Sequence, residues 1–428
     1  RVQQLTGIPQ EVMKQAGRMY ATAEKATIVY AMGITQYSSG TNNVFALANL
    51  AMLTGQVGRY GTGVDPLRGQ NNVQGSCDMG CLPNLFPSYQ TVMNEEHRQK
   101  LEKLWGCELN NEPGLTLTEI MKAAADGAIK GMYILGENPV LSDPDSNHVK
   151  KALNSLDFLL VQDIFLTETA ELADVVLPAS SFAEKEGTFT NTERRVQRVR
   201  AAVPAPGEAK PDWQIIMTLG QLLGLRWQYS SPKDIMSEIN KAVPIYGGIT
   251  YERIEDEGLQ WPCPSTDHPG TQYLHADKFA RGRGKFHSVE YLPPAEVPDE
   301  EYPLVLSTGR MLYHFHTGSM SRRSEKLSKI HTHELMMIHP KDAAKYGLTD
   351  EDTALVTSRR GQITTRLQIT DHVPPGTIFM TFHFKESAAN ILTNTATDPI
   401  CKIPELKACA VRVEKSSTDA VITGKYGH

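Results

Sequence analysis

Between Arg59 and Asn84 the chain reads RYGTGVDPLRGQNNVQGSCDMGCLPN, with five glycines, two prolines and a row of amides at Gln70, Asn71, Asn72 and Gln74. Arg68 is the one cation between Gly61 and Gly80. A guanidinium fork grips a carboxylate or phosphate through two hydrogen bonds. Amide side chains offer donors and acceptors together, which suits the edge of a heterocycle. Glycine lets a backbone come close to a ligand. The run has neither a helical nor an alternating apolar period, so it is expected to form an extended loop. Irregular stretches of this length are usually functional or disordered. The plainer alternative is a polar surface loop.

Other residues with chemical potential are scattered. His314 and His316 form H-x-H, but the sequence places no third metal ligand beside them. Cys77 and Cys81 are spaced C-x-x-x-C, and small buried thiols are the simpler account of them. No metal ligand set is assigned. Asp163 follows a predicted strand, and an ionised carboxylate there is an acceptor only, suited to the N–H donors of a ligand. The chain contains no G-x-G-x-x-G and no G-x-x-x-x-G-K-[ST], so a nicotinamide or P-loop site lacks its fingerprint.

These residues need elements to hold them. Pro9 opens a helical pattern over Gln10 to Lys25. Ala26 to Met32 is a continuous apolar run, expected as a strand of a buried parallel sheet, and Gly33 and Gln36 follow its end. A helix is expected from about Asn42 to Leu53. Further on come a helix (Thr118 to Ala125), a strand (Gly131 to Leu135) and the turn Gly136-Glu137-Asn138-Pro139. A helix near Ser146 to Leu156 and a strand from Phe158 to Val161 follow, ending at Gln162-Asp163. A short helical stretch around Thr167 to Leu172 precedes Asp174-Val175-Val176-Leu177-Pro178. Successive βα units with polar residues just after the strands indicate a doubly wound α/β sheet, where ligands bind at strand ends. Helices over Asp212 to Leu223 and Lys233 to Val243 complete it. The arginine-rich run Glu184 to Arg200 reads as a solvated face, and the Pro/Gly/Asp-rich stretch from Tyr251 to Pro298 as a linker. Six short strands follow: Pro303 to Ser307, Glu334 to Ile338, Thr353 to Ser358, Gln362 to Ile369, Gly376 to Phe382 and Ala408 to Val413. With one short helix, His339 to Leu348, they point to a β-barrel.

The run Arg68-Gly69-Gln70-Asn71-Asn72-Val73-Gln74-Gly75, followed by Cys77-Asp78-Met79-Gly80, resembles the signature of the catalytic subunit of molybdenum- or tungsten-dependent formate dehydrogenases. These are molybdopterin oxidoreductases, and the resemblance covers nearly the whole chain. It implies Rossmann-like α/β domains followed by a six-stranded double-psi barrel. Residues 1–70 would be the end of one α/β domain, 71–285 a dinucleotide-binding α/β domain and 286–428 the barrel domain. Two molybdopterin guanine dinucleotides and one molybdenum or tungsten are implied as cofactors. Their contacts would come from Gly33, Gln36, Arg68, Gln70, Asn71, Gly136, Glu137, Asn138, Gln162, Asp163, Thr167, Arg310, His316, Thr317, Lys385 and Asn390. Arg68 would also hold formate, as the catalytic residue. Clusters from Gly33, Gln36, Gly136, Asp163, Arg310 and Asn390 are expected to converge on one cleft. The family's N-terminal 4Fe-4S domain and its metal-ligating selenocysteine or cysteine are not visible. The chain therefore resembles the C-terminal 60% or so of such a subunit, inactive by itself, with 183–211 packing on the absent iron–sulfur domain. The implied partners are formate or CO₂ and electron-transfer subunits: iron–sulfur proteins, an NAD or ferredoxin reductase, or a hydrogenase. The alternatives are another molybdopterin enzyme such as a nitrate reductase, a non-catalytic cofactor-binding fragment, or an ordinary nucleotide-binding α/β protein.

Length and composition agree with this. A chain of 428 residues has room for two or three domains. Its 40% apolar and 21% charged content is that of a globular protein, and the net charge of −6 argues against a dedicated nucleic-acid binder. No apolar run approaches the ~18 residues needed to cross a bilayer. Six cysteines without a C-x-x-C pair fit a reducing compartment, so a cytoplasmic protein is expected.

Overall fold

A computed structural model describes residues 1–350 and 352–416. The first segment is a helix, α1 (Gln10–Thr22), a strand, β1 (Thr27–Tyr30), a helix, α2 (Gly40–Thr54), and a second strand, β2 (Gly63–Pro66). The two strands pair in parallel, Thr27 opposite Gly63. The apolar strand is shorter than its sequence run and stays half-exposed, with Val29 56% exposed, because its sheet has only two strands. The glycine- and amide-rich run is not a continuous loop. It contains β2 and a short helix, α3 (Val73–Asp78).

The α/β unit is built as its periodicity predicts. Strands β3 (Gly131–Leu135), β4 (Phe158–Asp163) and β5 (Val175–Pro178) form a parallel sheet in sequential order. Helices α4 (Leu117–Ala125) and α5 (Ser146–Asn154) cover one face. Thr116 and Glu119 close a capping box at the start of α4, satisfying backbone donors that the helix cannot. The core beneath is Met121, Ala124, Ile134, Val149, Leu153, Leu159 and Val161. The other face leaves Tyr133, Leu135, Phe158 and Val175 exposed.

The arginine-rich run folds as a hairpin rather than a featureless polar face. Strands β6 (Gly187–Thr190) and β7 (Arg195–Val199) pair antiparallel, and β8 (Leu259–Gln260) joins the edge of β7. Val196 points inward and is fully buried; Arg195 pairs with Glu193, and Arg198, itself largely buried over the Tyr251 ring, pairs with Glu186 and Glu255. The expected linker is compact at its start: Tyr251, Ile254, Trp261 and Cys263 join a core with Tyr246, Val243 and Met236. Helices α6 (Asp212–Leu222) and α7 (Pro232–Ala242) lie between, and the second is opened by a Ser231/Asp234 capping box with Pro232 in its first turn. Residues 71–285 thus hold two hydrophobic cores.

The C-terminal part is a closed barrel of β9 (Leu304–Gly309), β10 (Leu335–Ile338), β11 (Thr353–Thr357), β12 (Gln362–Ile369), β13 (Thr377–Thr381) and β14 (Cys409–Lys415). Around the barrel the order is β9-β13-β10-β12-β11-β14. The β9–β13 and β10–β12 pairs are parallel and the rest antiparallel. Alternate residues fill the interior: Leu304 and Leu306, Met336 and Ile338, Ala354 and Val356, Ile378 and Met380, Val411 and Val413. Closure leaves no free edge to the sheet. Among the described residues no helix is long and apolar enough to cross a membrane.

Candidate functional site

One cavity of about 590 Å³ lies where the α3 loop, the parallel sheet and the barrel meet. It is lined by Gln70 and Asn71, by Gly136, Glu137 and Asn138 after β3, by Gln162 and Asp163 at the end of β4 and Thr167 beyond it, and by His316 and Thr317 after β9. Ligands bind at the carboxyl ends of parallel strands because the backbone diverges there. Gly136 turns the chain at φ 64°, a conformation that favours glycine, and its N–H donates to the Gln162 carbonyl. Gln162 is fully buried; its Nε2 donates to Asp212 Oδ1 at 2.8 Å and its Oε1 accepts from the Tyr133 hydroxyl. Burial pushes the Asp163 carboxyl up, although N–H donors from Ile164 and Phe165 partly offset it. Its Oδ1 accepts from Ile164 at 2.6 Å.

Asn138 ties the cavity wall together. Its Nδ2 donates to Glu168 Oε2 at 2.9 Å and to Ser319 Oγ at 3.1 Å. Its Oδ1 accepts from Thr169 N and Oγ1. Lys385 pairs with Glu168 at 3.1 Å, so it stands beside Thr167 rather than on the wall itself. Burial works against the Glu168 charge, yet Asn138 and Lys385 leave its pKa below the ordinary value. Asn390 has its amide engaged elsewhere: Nδ2 donates to the carbonyls of Leu141 and Ser142 at 2.8 and 3.0 Å, bolting the barrel to the α/β unit.

A group of cations sits at the barrel mouth. The Arg310 guanidinium lies over Phe315 and Phe382 at 5.7 and 5.8 Å. Its terminal nitrogens are 3.4 Å from where a Gly69 β-carbon would be, so Gly69 brings the loop against it. Burial lowers the Arg310 pKa. Lys407, which the sequence did not single out, donates to the Thr308 carbonyl at 2.6 Å and is pushed down to about 8 by burial and by Arg310. Neither makes an ion pair among the described residues, so both remain open to an anion. His316 is pushed down to about 4 by burial and by Arg310, which makes it a neutral donor or acceptor at pH 7.

Arg68 stands on the loop leading to α3. Its backbone N–H donates to Thr192 Oγ1, and its Nε donates to Gln74 Oε1 at 2.9 Å. Gly33 and Gln36 do not line the 590 Å³ cavity. They follow β1, Gly33 inside the short helix Met32–Thr35 and Gln36 at its end, and the residues after them are fastened to the barrel. Ser38 N and Oγ donate to Glu405 Oε2, and Thr41 N and Oγ1 donate to the Asp398 carboxylate. Among the described residues no three His, Cys, Asp or Glu side chains are grouped to hold a metal ion.

The donor set can be tested against a pterin dinucleotide. Amides, hydroxyls, the carboxylates of Glu137, Asp163 and Asp212 and a neutral imidazole match a heterocycle with donors and acceptors on one edge, and the nearby unpaired cations match phosphates. The cavity is within the usual size of small-molecule sites, ~300–1,000 Å³. The residues fit the group.

Comparison with known proteins agrees. Residues 8–222 match the molybdopterin oxidoreductase model, and residues 304–410 match the molydopterin dinucleotide binding domain. The chain is 52% identical over 415 residues to the F420-dependent formate dehydrogenase subunit alpha of Methanocaldococcus jannaschii, covering 96% of this chain and 61% of that one. It is 40% identical over 420 residues to formate dehydrogenase H of Escherichia coli, covering 96% and 59%. The chain therefore spans about three fifths of the length of these relatives. Acetylene hydratase from Pelobacter acetylenicus shares the fold, with a TM-score of 0.72 at 18% identity over 97% of this chain and 64% of that one. With its α/β sheet and barrel meeting at one polar cavity, and with both models matched, this chain belongs to the molybdopterin oxidoreductase family.

Proposed function

We propose that the chain is the C-terminal part of a cytoplasmic formate dehydrogenase catalytic subunit. The observation that carries this is Arg68: a guanidinium fixed at Nε by Gln74, on the same loop as the cavity-lining Gln70 and Asn71. Formate is a small planar anion with no apolar handle, so its site needs one oriented cation and little else. The relatives named formate dehydrogenase support the same reading.

The cofactors are two molybdopterin guanine dinucleotides with molybdenum or tungsten. The chemistry such a group supplies when bound is a two-electron exchange with formate or CO₂, and onward transfer to a 4Fe-4S cluster. The chain positions the reactants. Arg68 holds the carboxylate, Gln70 and Asn71 hold the pterin, and Arg310 and Lys407 neutralise phosphates. Asp163 takes the guanine N–H donors of one dinucleotide, with Asn138, Thr167, His316 and Thr317 around it. Gly33 and Gln36 serve the second. Residues 1–70, 71–285 and 286–428 act as the three units described from the sequence, and 183–211 pack on an iron–sulfur domain. The acceptor is reached through separate electron-transfer subunits. F420 fits best, because the relative at 52% identity carries it in its name.

The test is formate-dependent dye reduction by the complete natural polypeptide, with metal and released guanine nucleotide quantified. Turnover with about two guanine nucleotides per metal supports the reading. A fully loaded protein that does not oxidise formate overturns it.

A further inference from the structure

We infer that Asp78 is a positioning residue that fixes the Arg68 guanidinium through the amide of Gln74. The inference deepens the reading of Arg68 as the substrate anchor and rests on it. Asp78 is fully buried and makes no ion pair among the described residues. Its Oδ2 accepts from the Tyr246 hydroxyl at 2.6 Å; its Oδ1 accepts from the Tyr89 hydroxyl and from Gln74 Nε2, both at 2.8 Å. A buried charge needs such donors to persist.

Gln74 is itself buried, and a terminal amide has one donor end and one acceptor end. An ionised carboxylate only accepts, so it draws the NH₂ end of Gln74 toward itself. The oxygen is thereby turned to Arg68 Nε, at 2.9 Å. With Nε taken, the two terminal nitrogens of Arg68, which hold no hydrogen bond among the described residues, are presented together, the edge that takes a carboxylate end-on. A neutral group at position 78 would fill the space but would not select this orientation.

The surrounding backbone is arranged for the same end. Ser88 and Tyr89 are successive non-glycine residues at φ 68° and 57°, a strained pair that brings the Tyr89 hydroxyl onto Asp78. Tyr246 is held from its other side by Thr190 Oγ1 at 2.7 Å. Burial and the Asp78 charge push both phenols up, so they stay protonated donors.

The test is made in the complete, cofactor-loaded polypeptide. Asp78→Asn keeps the shape but offers an NH₂ to Gln74, whose amide then turns over and sets a donor against Arg68 Nε. KM for formate should rise about 10- to 100-fold, the scale of one charge-assisted hydrogen bond, with metal and pterin content unchanged. Gln74→Met should do the same if Asp78→Asn fails to fold. The double variant Gln74→Glu with Asp78→Asn restores an acceptor toward Arg68 and should bring KM back to within about threefold of wild type. A role in packing alone would not be rescued in this way. The inference is overturned if the single variants leave KM unchanged, or if the double variant is no better than Asp78→Asn. Should the wild-type protein not oxidise formate, the substrate reading fails. Crystal structures of the variants still decide the inference, by whether the Arg68 guanidinium has moved.

Discussion

Asn138 Nδ2 donates to Ser319 Oγ at 3.1 Å, joining the turn after the first strand of the parallel sheet to the loop after the first barrel strand. The two residues are 181 positions apart. This bond, the Lys385–Glu168 pair and the Asn390 bonds to Leu141 and Ser142 hold two separately cored units edge to edge around the cavity.

Replacing Asn138 by Leu should therefore damage both stability and cofactor retention. Thr169 N–H and Glu168 would be left with unmatched polar atoms, at about 1–3 kcal/mol for each group not reached by water. A lower denaturation midpoint, with less guanine nucleotide retained after gel filtration, is the expected result.

Gly75 should not tolerate a side chain. A β-carbon there would lie 2.1 Å from Asn72 Oδ1, which accepts from Thr190 N–H at 2.9 Å and ties α3 to the hairpin. Gly75→Ala must displace Asn72, and we expect a loss of about 1–3 kcal/mol in chemical denaturation. Asn72→Ala, made first, should remove most of that penalty, because the two changes act on one contact.

Glu334 gives the barrel a specific pH dependence. It is fully buried, and burial pushes it up to about 7 despite donors from Thr381 N and Oγ1. Between about pH 4.5 and 7 the folded form binds the proton and the unfolded form does not. Its stabilisation is therefore complete below about pH 4.5 and is lost as pH rises through 7. Glu334→Gln should flatten the stability profile across that window, and a difference between variant and wild type that stays constant from pH 5 to 8 would contradict this.

Much of this architecture is written in short-range pattern. Gly131–Leu135 and Gln362–Ile369 have the bounds their apolar patterns predict, and the other barrel strands agree within two residues at each end. Helix α3 was not legible. It is six residues long, without an apolar period, and is held by bonds to other segments, from Asn72 to Thr190, Gln74 to Tyr89 and Asp78 to Tyr246. The hairpin β6–β7 was obscured because four arginines mask the inward Val196. Motif resemblance led to the cavity-lining residues, but Lys407 and the Tyr89–Asp78–Tyr246 cluster carry no local signal. Only the fold brings together groups as distant as Asp78 and Tyr246, 168 positions apart.

The central claim is that Arg68 anchors formate, and the direct measurement is kcat/KM for formate in Arg68→Lys and Arg68→Ala of the complete polypeptide, with metal quantified. Lysine keeps the charge but has neither the planar fork nor the Nε that Gln74 holds. Both variants should lose about 30- to 1000-fold, the equivalent of ~2–4 kcal/mol of transition-state stabilisation, with normal metal and pterin content. Near-wild-type turnover in both, at full metal loading, would contradict the account and leave Arg68 as a structural residue of its loop.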